Sequence, residues 1–166
     1  MISSSFIRYL SLRSGYRRII NRDNTVYKCL CILCTDIHSQ DSAEKSHILL
    51  TGERGVGKST LIQRLLKEAD MPVYGFVTKR EAADAAGFHP IYIHPAGQPK
   101  EARCHTEENL AGMCDRKTHT VHLAAFDGLG VRYLEAAQPD GILVMDELGF
   151  MEAEAERFKR AVFCAL

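Results

Sequence analysis

A glycine-rich run carries the clearest chemical signal in the chain. Gly52-Glu53-Arg54-Gly55-Val56-Gly57-Lys58-Ser59 has the spacing glycine, four residues, glycine, lysine and serine, and Thr60 follows it. Glycines let successive backbone N–H groups point towards one centre, where the positive end of a following helix also attracts phosphate oxygens. In such a loop the lysine contacts the β- and γ-phosphates and the serine hydroxyl binds Mg²⁺. We therefore predict that residues 52–60 bind a nucleoside triphosphate with Mg²⁺, Lys58 being catalytic and Ser59 a metal ligand.

An acidic pair after an apolar run is the second signal. Ile142-Leu143-Val144-Met145 precedes Asp146 and Glu147, about 90 residues beyond the glycine-rich loop. The apolar residues suit a strand buried beside the strand that leads into the loop, with Asp146 near its carboxyl end as a metal ligand. Glu147 is then placed to act as a general base on water. A surface turn with two solvated carboxylates is the alternative, and the upstream loop favours the metal site.

The elements that must position these motifs indicate an α/β fold. Residues 48–51 form a β-prone run before the loop, and residues 58–69 have helical spacing that Pro72 prevents from continuing. Further strands are predicted at 73–78, 87–95, 117–123 and 142–145, and further helices at 129–137 and 152–165. Alternating strands and helices predict a mostly parallel sheet flanked by helices, with an insertion that contains a β-hairpin.

One domain is expected from residue 46 to residue 166, preceded by an extension, 1–45, of undetermined role. Residues 1–22 contain five arginines, several serines and no acidic residue, a pattern typical of a mitochondrial transit peptide. An uncleaved basic tail, or a natural start further downstream, would give the same composition. Residues 27–37 are apolar and suit either an extra strand or a short helix.

Composition excludes several classes of protein. Charged residues make up 25% and apolar residues 46% of the chain, the balance of a soluble globular protein. Apolar runs fall far short of the roughly 18 residues of a membrane-spanning helix. After residue 22 the net charge is −5, which gives no support for nonspecific nucleic-acid binding. Because there is no secretory signal, we expect a cytoplasmic protein with reduced thiols; protein partners are not predictable.

Two groupings of cysteine and histidine have spacings that fit neither a zinc finger nor a ferredoxin. The first, Cys29, Cys31, Cys34 and His38, is interpreted as a buried apolar strand with cysteine as a small apolar residue, and a metal site is the alternative. The second comprises Cys104, His105, Cys114, His119 and His122, and a metal site there is the less favoured interpretation. Charged residues of the last segment, including Glu152, Glu154 and Glu156, are interpreted as a solvated helix face, with Phe158 and Val162 facing inward. Arg54, Lys79 and Arg80 lie near predicted loop ends and are expected to be solvated at the surface; the alternative is that they reach phosphate.

Three segments together resemble the small nucleoside-triphosphatase family that includes the thermophile NTPases and the human cancer-related NTPase. They are the loop with its flanks, 50–60, then Gly75-Phe76-Val77-Thr78, similar to a Gly-Phe-x-Thr segment, and 146–152, similar to Asp-Glu-Ile-Gly-Lys-Met-Glu. Phe158 also matches a family phenylalanine. The resemblance covers about 120 residues from Ser46 onwards. It implies a RecA-like P-loop fold and Mg²⁺-dependent hydrolysis of ATP, GTP and other triphosphates to diphosphate and phosphate.

Two departures from the family pattern stand out. Phe150 occupies the position of a lysine, and the chain stops at Leu166 where family members continue with at least one more strand. We therefore expect a domain that is incomplete at its C-terminus. A P-loop kinase, or a nucleotide-dependent switch with slow turnover, is the alternative function. No arginine-rich lid lies between residues 87 and 137 to favour a kinase, and no Asn-Lys-x-Asp motif favours a dedicated GTPase.

Overall fold

A computed structural model describes residues 27–32, 46–50, 56–149 and 151–166. Its strands are β1 (Tyr27–Ile32), β2 (Ser46–Leu50), β3 (Val73–Arg80), β4 (His89–Pro95), β5 (Leu110–Cys114), β6 (His119–Val121) and β7 (Ile142–Leu148). Its helices are α1 (Lys58–Ala69), α2 (Leu123–Ala125), α3 (Val131–Glu135) and α4 (Glu156–Ala165). A π-helical turn (Phe126–Gly130) joins α2 to α3, and a 3-10 turn (Lys100–Ala102) follows β4.

The seven strands form one sheet in the order β2-β1-β7-β3-β4-β5-β6. Among the described strands, β3 and β7 pair in parallel and the other five pairings are antiparallel. The predicted mostly parallel sheet is therefore wrong for this part of the chain. Strands β3, β4, β5 and β6 are consecutive in the chain and each pairs antiparallel with the next, so they form an antiparallel meander. The meander contains the predicted hairpin, which β5 and β6 form.

Strand β1 lies between β2 and β7, where the acidic strand was expected to lie directly beside the loop strand. Its register places Leu30 opposite Ile48 on one side and Val144 on the other. The strand interpretation of the apolar N-terminal run is thus confirmed for Tyr27–Ile32. Because β1 is antiparallel to both neighbours, β2 and β7 point the same way, and β3 shares their direction. The carboxyl ends of these three strands therefore lie at one edge of the sheet.

Helices pack on both faces of the sheet, as predicted. On one face Ile62 of α1 packs against Ile142 and Val144. On the other face the core includes Leu143 and Met145 together with residues of α3 and α4. Alternate residues of β7 thus serve opposite cores, which explains the continuous apolar run and confirms the strand predicted to be buried on both faces.

Phe158 of α4 lies at the centre of the second core. Its ring packs edge-on against Phe76 at 5.1 Å and against Phe126 at 5.4 Å between centroids. Its backbone N–H donates to the Asp127 carboxylate at 2.9 Å. A side chain from a distant turn therefore satisfies a donor in the first turn of α4, which lacks a side-chain cap of its own.

Gly75 determines how closely β3 approaches β7. It has φ of +87°, and a Cβ atom there would overlap the carbonyl oxygen of Val144 in the parallel partner strand. Gly128 is a useful comparison, because a Cβ atom at that position would meet no atom within 4 Å.

We expect Gly75→Ala to destabilise the fold by roughly 3 kcal/mol, since left-handed backbone costs about 1–2 kcal/mol and forced overlap about 1–3 kcal/mol. Gly128→Ala should change the free energy of unfolding by less than about 1 kcal/mol. Urea denaturation of the two variants beside the parent chain measures both effects. Equal stability of Gly75→Ala and the parent would show that the approach of β3 to β7 is not as close as described.

Candidate active site

The amino end of α1 carries the second half of the glycine-rich loop. Gly57 precedes the helix with φ of 96° and ψ of 11°, the left-handed conformation that favours glycine, and its carbonyl accepts from the Leu61 N–H at 2.9 Å. The first helical turn contains no acidic residue, and Gly57 offers no side-chain cap. The positive end of α1 is therefore suited to an anion supplied from outside the helix.

Side chains of the loop differ in exposure where the structure describes them. Lys58 is half-buried, Ser59 and Thr60 are exposed, and Val56 is 62% exposed although it is apolar. The remaining predicted phosphate contacts lie outside the described residues, and they are Gly52, Glu53, Arg54 and Gly55.

Asp146 lies two residues before the end of β7. Its register partner is Val77 of β3, and its backbone carbonyl accepts from the Thr78 hydroxyl at 3.4 Å. Since Val144 on the same strand packs against α1, alternation places Asp146 on the face of the sheet that α1 covers. The side chain is half-buried.

Helix α1 runs so that its first residues face the carboxyl ends of the strands. Its last residue, Ala69, is four residues before Val73, which pairs with Ile142, the first residue of β7. The start of a 12-residue helix lies about 18 Å from that point. Ser59 and Asp146 therefore belong to the same face and the same edge of the sheet, although β1 separates β2 from β7 by two strand spacings, about 10 Å.

Hydroxyl and carboxylate oxygens are the ligand types that Mg²⁺ prefers, so Ser59 and Asp146 fit the predicted metal by their chemistry. The backbone of Glu147 is part of β7, but its side chain and Phe150 lie outside the described residues. In the described ranges, no three or more His, Cys, Asp or Glu side chains meet in a way that could hold a metal ion. His105, from one of the Cys/His groupings, instead stacks on Tyr92 at 4.1 Å between ring centroids.

Glu152 is the residue of this region that sequence reasoning placed wrongly. It is 2% exposed and lies in the turn before α4, whereas a solvated helix face was predicted. The Gly149 N–H donates to its carboxylate, which fixes the turn that follows the acidic strand. Glu154 and Glu156 are exposed as expected, and Phe158 and Val162 are buried as expected.

The start of α4 explains why the prediction for Glu152 was wrong. The helix begins at Glu156, four residues later than predicted, so Glu152 and Glu154 precede it and share no helical face with Glu156. Within the described ranges, no helix has the length and apolar character needed to cross a membrane.

Comparisons with known proteins, by family model and by sequence, both find nucleoside-triphosphatases. A family model described as NTPase matches residues 47–166. The cancer-related nucleoside-triphosphatase homolog of Bos taurus is 36% identical, the match covering 70% of this chain and 66% of the relative. Nucleoside-triphosphatase THEP1 of Aquifex aeolicus (strain VF5) is 26% identical, over 69% of this chain and 67% of the relative.

A further relative is nucleoside-triphosphatase THEP1 of Thermotoga maritima, which is 33% identical over 69% of this chain and 64% of the relative. The chain thus spans about two thirds of the length of the curated relatives it matches. No solved structure gives a significant match.

Glu152→Ala should lower the free energy of unfolding by about 1–3 kcal/mol, because the Gly149 N–H loses a charge-assisted acceptor. Glu152→Gln keeps an acceptor oxygen and should lose less. Glu154→Ala, two residues away and exposed, is the matched control and should change stability by less than about 0.5 kcal/mol. Chemical denaturation measures all three, and equal effects at positions 152 and 154 would contradict a bracing role for Glu152.

Proposed function

Because the chain belongs to the NTPase family, we propose that it hydrolyses nucleoside 5'-triphosphates to diphosphates and inorganic phosphate. The observation that carries this proposal is the placement of two motifs at one edge and one face of the sheet: the amino end of α1 after Gly57, and Asp146 on β7. The printed names of the relatives, nucleoside-triphosphatases, support the same activity.

Residues of the loop bind the phosphates in this proposal. Backbone N–H groups of residues 52–60 and the positive end of α1 hold the phosphate oxygens, and Lys58 adds a compact positive charge. Ser59 and Asp146 would hold Mg²⁺, which when bound neutralises charge on the phosphate oxygens. Glu147 takes a proton from the attacking water as a general base.

The common direction of three strands supports a RecA-like interpretation of the sheet. Strands β2, β7 and β3 run in the same direction and end at the proposed site, as the strands of a P-loop core do, while β1 and the meander add antiparallel strands. We place the catalytic unit at residues 46–166 and regard β1 as an addition to its sheet.

Lys58→Ala is expected to reduce phosphate release at least a hundredfold, because the γ-phosphate loses its main cationic contact, a charge-stabilising effect of about 3 kcal/mol or more. Lys67→Ala, in the last turn of the same helix, is the matched control and should keep full activity. Phosphate release from ATP, GTP, CTP and UTP with Mg²⁺ measures the effect. Unchanged turnover in Lys58→Ala would show that the glycine-rich loop does not bind the phosphates of the substrate.

Glu147→Gln is expected to bind nucleotide as tightly as the parent chain but to lose turnover by about 10²- to 10⁴-fold, since an amide cannot accept the proton of water. Glu154→Gln removes an exposed carboxylate nearby and should leave turnover unchanged. Equilibrium binding and steady-state phosphate release separate the two effects. Nucleotide binding without turnover in the parent chain itself would favour a switch or a kinase over a hydrolase.

A further inference from the structure

A polar cavity lies at the end of β3, beside helix α1. Its volume is about 150 Å³, a size at which protein cavities accept a benzene-sized ligand. Its lining is formed by charged and imidazole side chains: Lys79, Glu81, His94, Lys100, Arg103 and His105. We refer to it as the β3–β4 pocket.

The β3–β4 pocket is on the flank of α1. Val77 pairs with His94 and Lys79 pairs with Tyr92, so His94 and Lys79 share the sheet face that Val77 presents to α1. Lys100 extends from the 3-10 turn, and its ammonium donates to the Gln63 side chain of α1 at 3.2 Å. Gln63 lies five residues beyond Lys58, about 7.5 Å along the helix.

Positive charge exceeds negative charge in the β3–β4 pocket. Glu81 accepts from Lys79 at 3.0 Å and lies 3.5 Å from the His105 imidazole. The hydrogen bond from Lys79 lowers the pKa of the Glu81 carboxyl, which therefore stays ionised at neutral pH. Glu81 can balance only one cation, so the charges of Lys100 and Arg103 remain.

Arg103 is a partly desolvated cation. Its Nε donates to the Gln98 carbonyl at 3.2 Å, and burial lowers the pKa of its guanidinium. Neither Arg103 nor Lys100 forms an ion pair with any of the residues that the structure describes. Glu101 acts on this guanidinium only from a distance, without an ion pair, so an anion that enters from solvent would stabilise the half-buried charge.

The hydrogen-bond network around Asn109 fixes the tautomer of His94. Asn109 Oδ1 accepts from the Thr106 N–H at 2.8 Å, and its Nδ2 donates to the Cys104 carbonyl at 2.9 Å. Nδ2 also lies 3.4 Å from Nδ1 of His94, so Nδ1 must accept. A neutral His94 therefore carries its hydrogen on Nε2.

His94 is neutral at physiological pH and its second nitrogen is unsatisfied. Burial, with the nearby Arg103 and His105, lowers the pKa of the ring to about 4. The residue is 1% exposed, and Nε2 has no hydrogen-bond partner among the described residues. A buried N–H donor needs an acceptor, and this one borders a positively charged cavity. An anionic oxygen would accept the hydrogen bond and also balance the positive charge.

We propose that the β3–β4 pocket binds a phosphate-type oxyanion, which accepts from His94 Nε2–H and is held by the charges of Lys100 and Arg103. Two sources supply this chemistry: free inorganic phosphate, and a phosphate group of a nucleotide held at the neighbouring loop. The binding requires no turnover, so it stands or fails separately from the proposed hydrolysis.

Histidine-selective ¹⁵N NMR of the full chain tests the proposal. Inorganic phosphate, and separately a non-hydrolysable ATP analogue with Mg²⁺, are titrated at ionic strength held constant with sodium chloride. We expect a saturable shift of His94 Nε2 with at least one ligand. Lys100→Ala and Arg103→Gln should each weaken that binding at least fivefold, and Lys117→Ala, in the exposed β5–β6 turn, should not. Lys100 is exposed, so its variant tests the pocket even if Arg103→Gln fails to fold.

Lys58→Ala assigns the source of the anion. A response to free phosphate that survives Lys58→Ala supports a pocket for inorganic phosphate. A response to the analogue alone, lost in both Lys58→Ala and Lys100→Ala, supports a nucleotide phosphate. If neither ligand shifts His94, or if the shift persists in both pocket variants, the proposal is wrong.

Discussion

The parallel pairing of β7 with β3 is the contact on which the arrangement of the site depends. Its register places Val144 opposite Gly75 and Asp146 opposite Val77. This register fixes the position of Asp146 along the sheet relative to α1. The approach is possible because Gly75 has no side chain and adopts a backbone conformation that other residues rarely take. Both cores of the domain meet at this pair of strands, one under α1 and one under α4.

The same pairing connects the two halves of the sheet, which differ in how they form. On one side of β3 the strands form a continuous meander, so each strand pairs with the next one in sequence. On the other side, β7 and β1 bring together residues more than a hundred positions apart. The polar groups follow this division: Asp146 lies at the long-range junction, and the β3–β4 pocket lies where the meander begins.

Sequence reasoning identified the parts of the fold that carry their own signal. Helix α1 matches its predicted bounds, because its apolar spacing and Pro72 define both ends locally, and β7 was recognisable from its unbroken apolar run. Strand β5 was missed, since Leu-Ala-Gly-Met-Cys has neither alternation nor β-branched residues. The place of β1 between β2 and β7 depends on pairing with residues more than a hundred positions away, and the unsatisfied nitrogen of His94 depends on how the β3–β4 pocket is assembled; no local pattern encodes either. Glu152 was placed wrongly because the turn that its carboxylate closes with the Gly149 N–H was not recognised.

Strand β1 also couples its own docking onto the sheet to the binding of a ligand at the proposed site. Among the described strands, β2 has β1 as its only neighbour, so every ladder hydrogen bond from the strand before the glycine-rich loop to the rest of the sheet passes through Tyr27–Ile32. Opening of that segment would leave the packing of α1 on β7 as the remaining contact between the two halves of the site. By linkage, any ligand that spans the loop and Asp146 stabilises the docked form of β1 by the same free energy that docking adds to its affinity. The docking of Tyr27–Ile32, a segment far upstream of Asp146 in sequence, thus reports thermodynamically on whether the site is occupied.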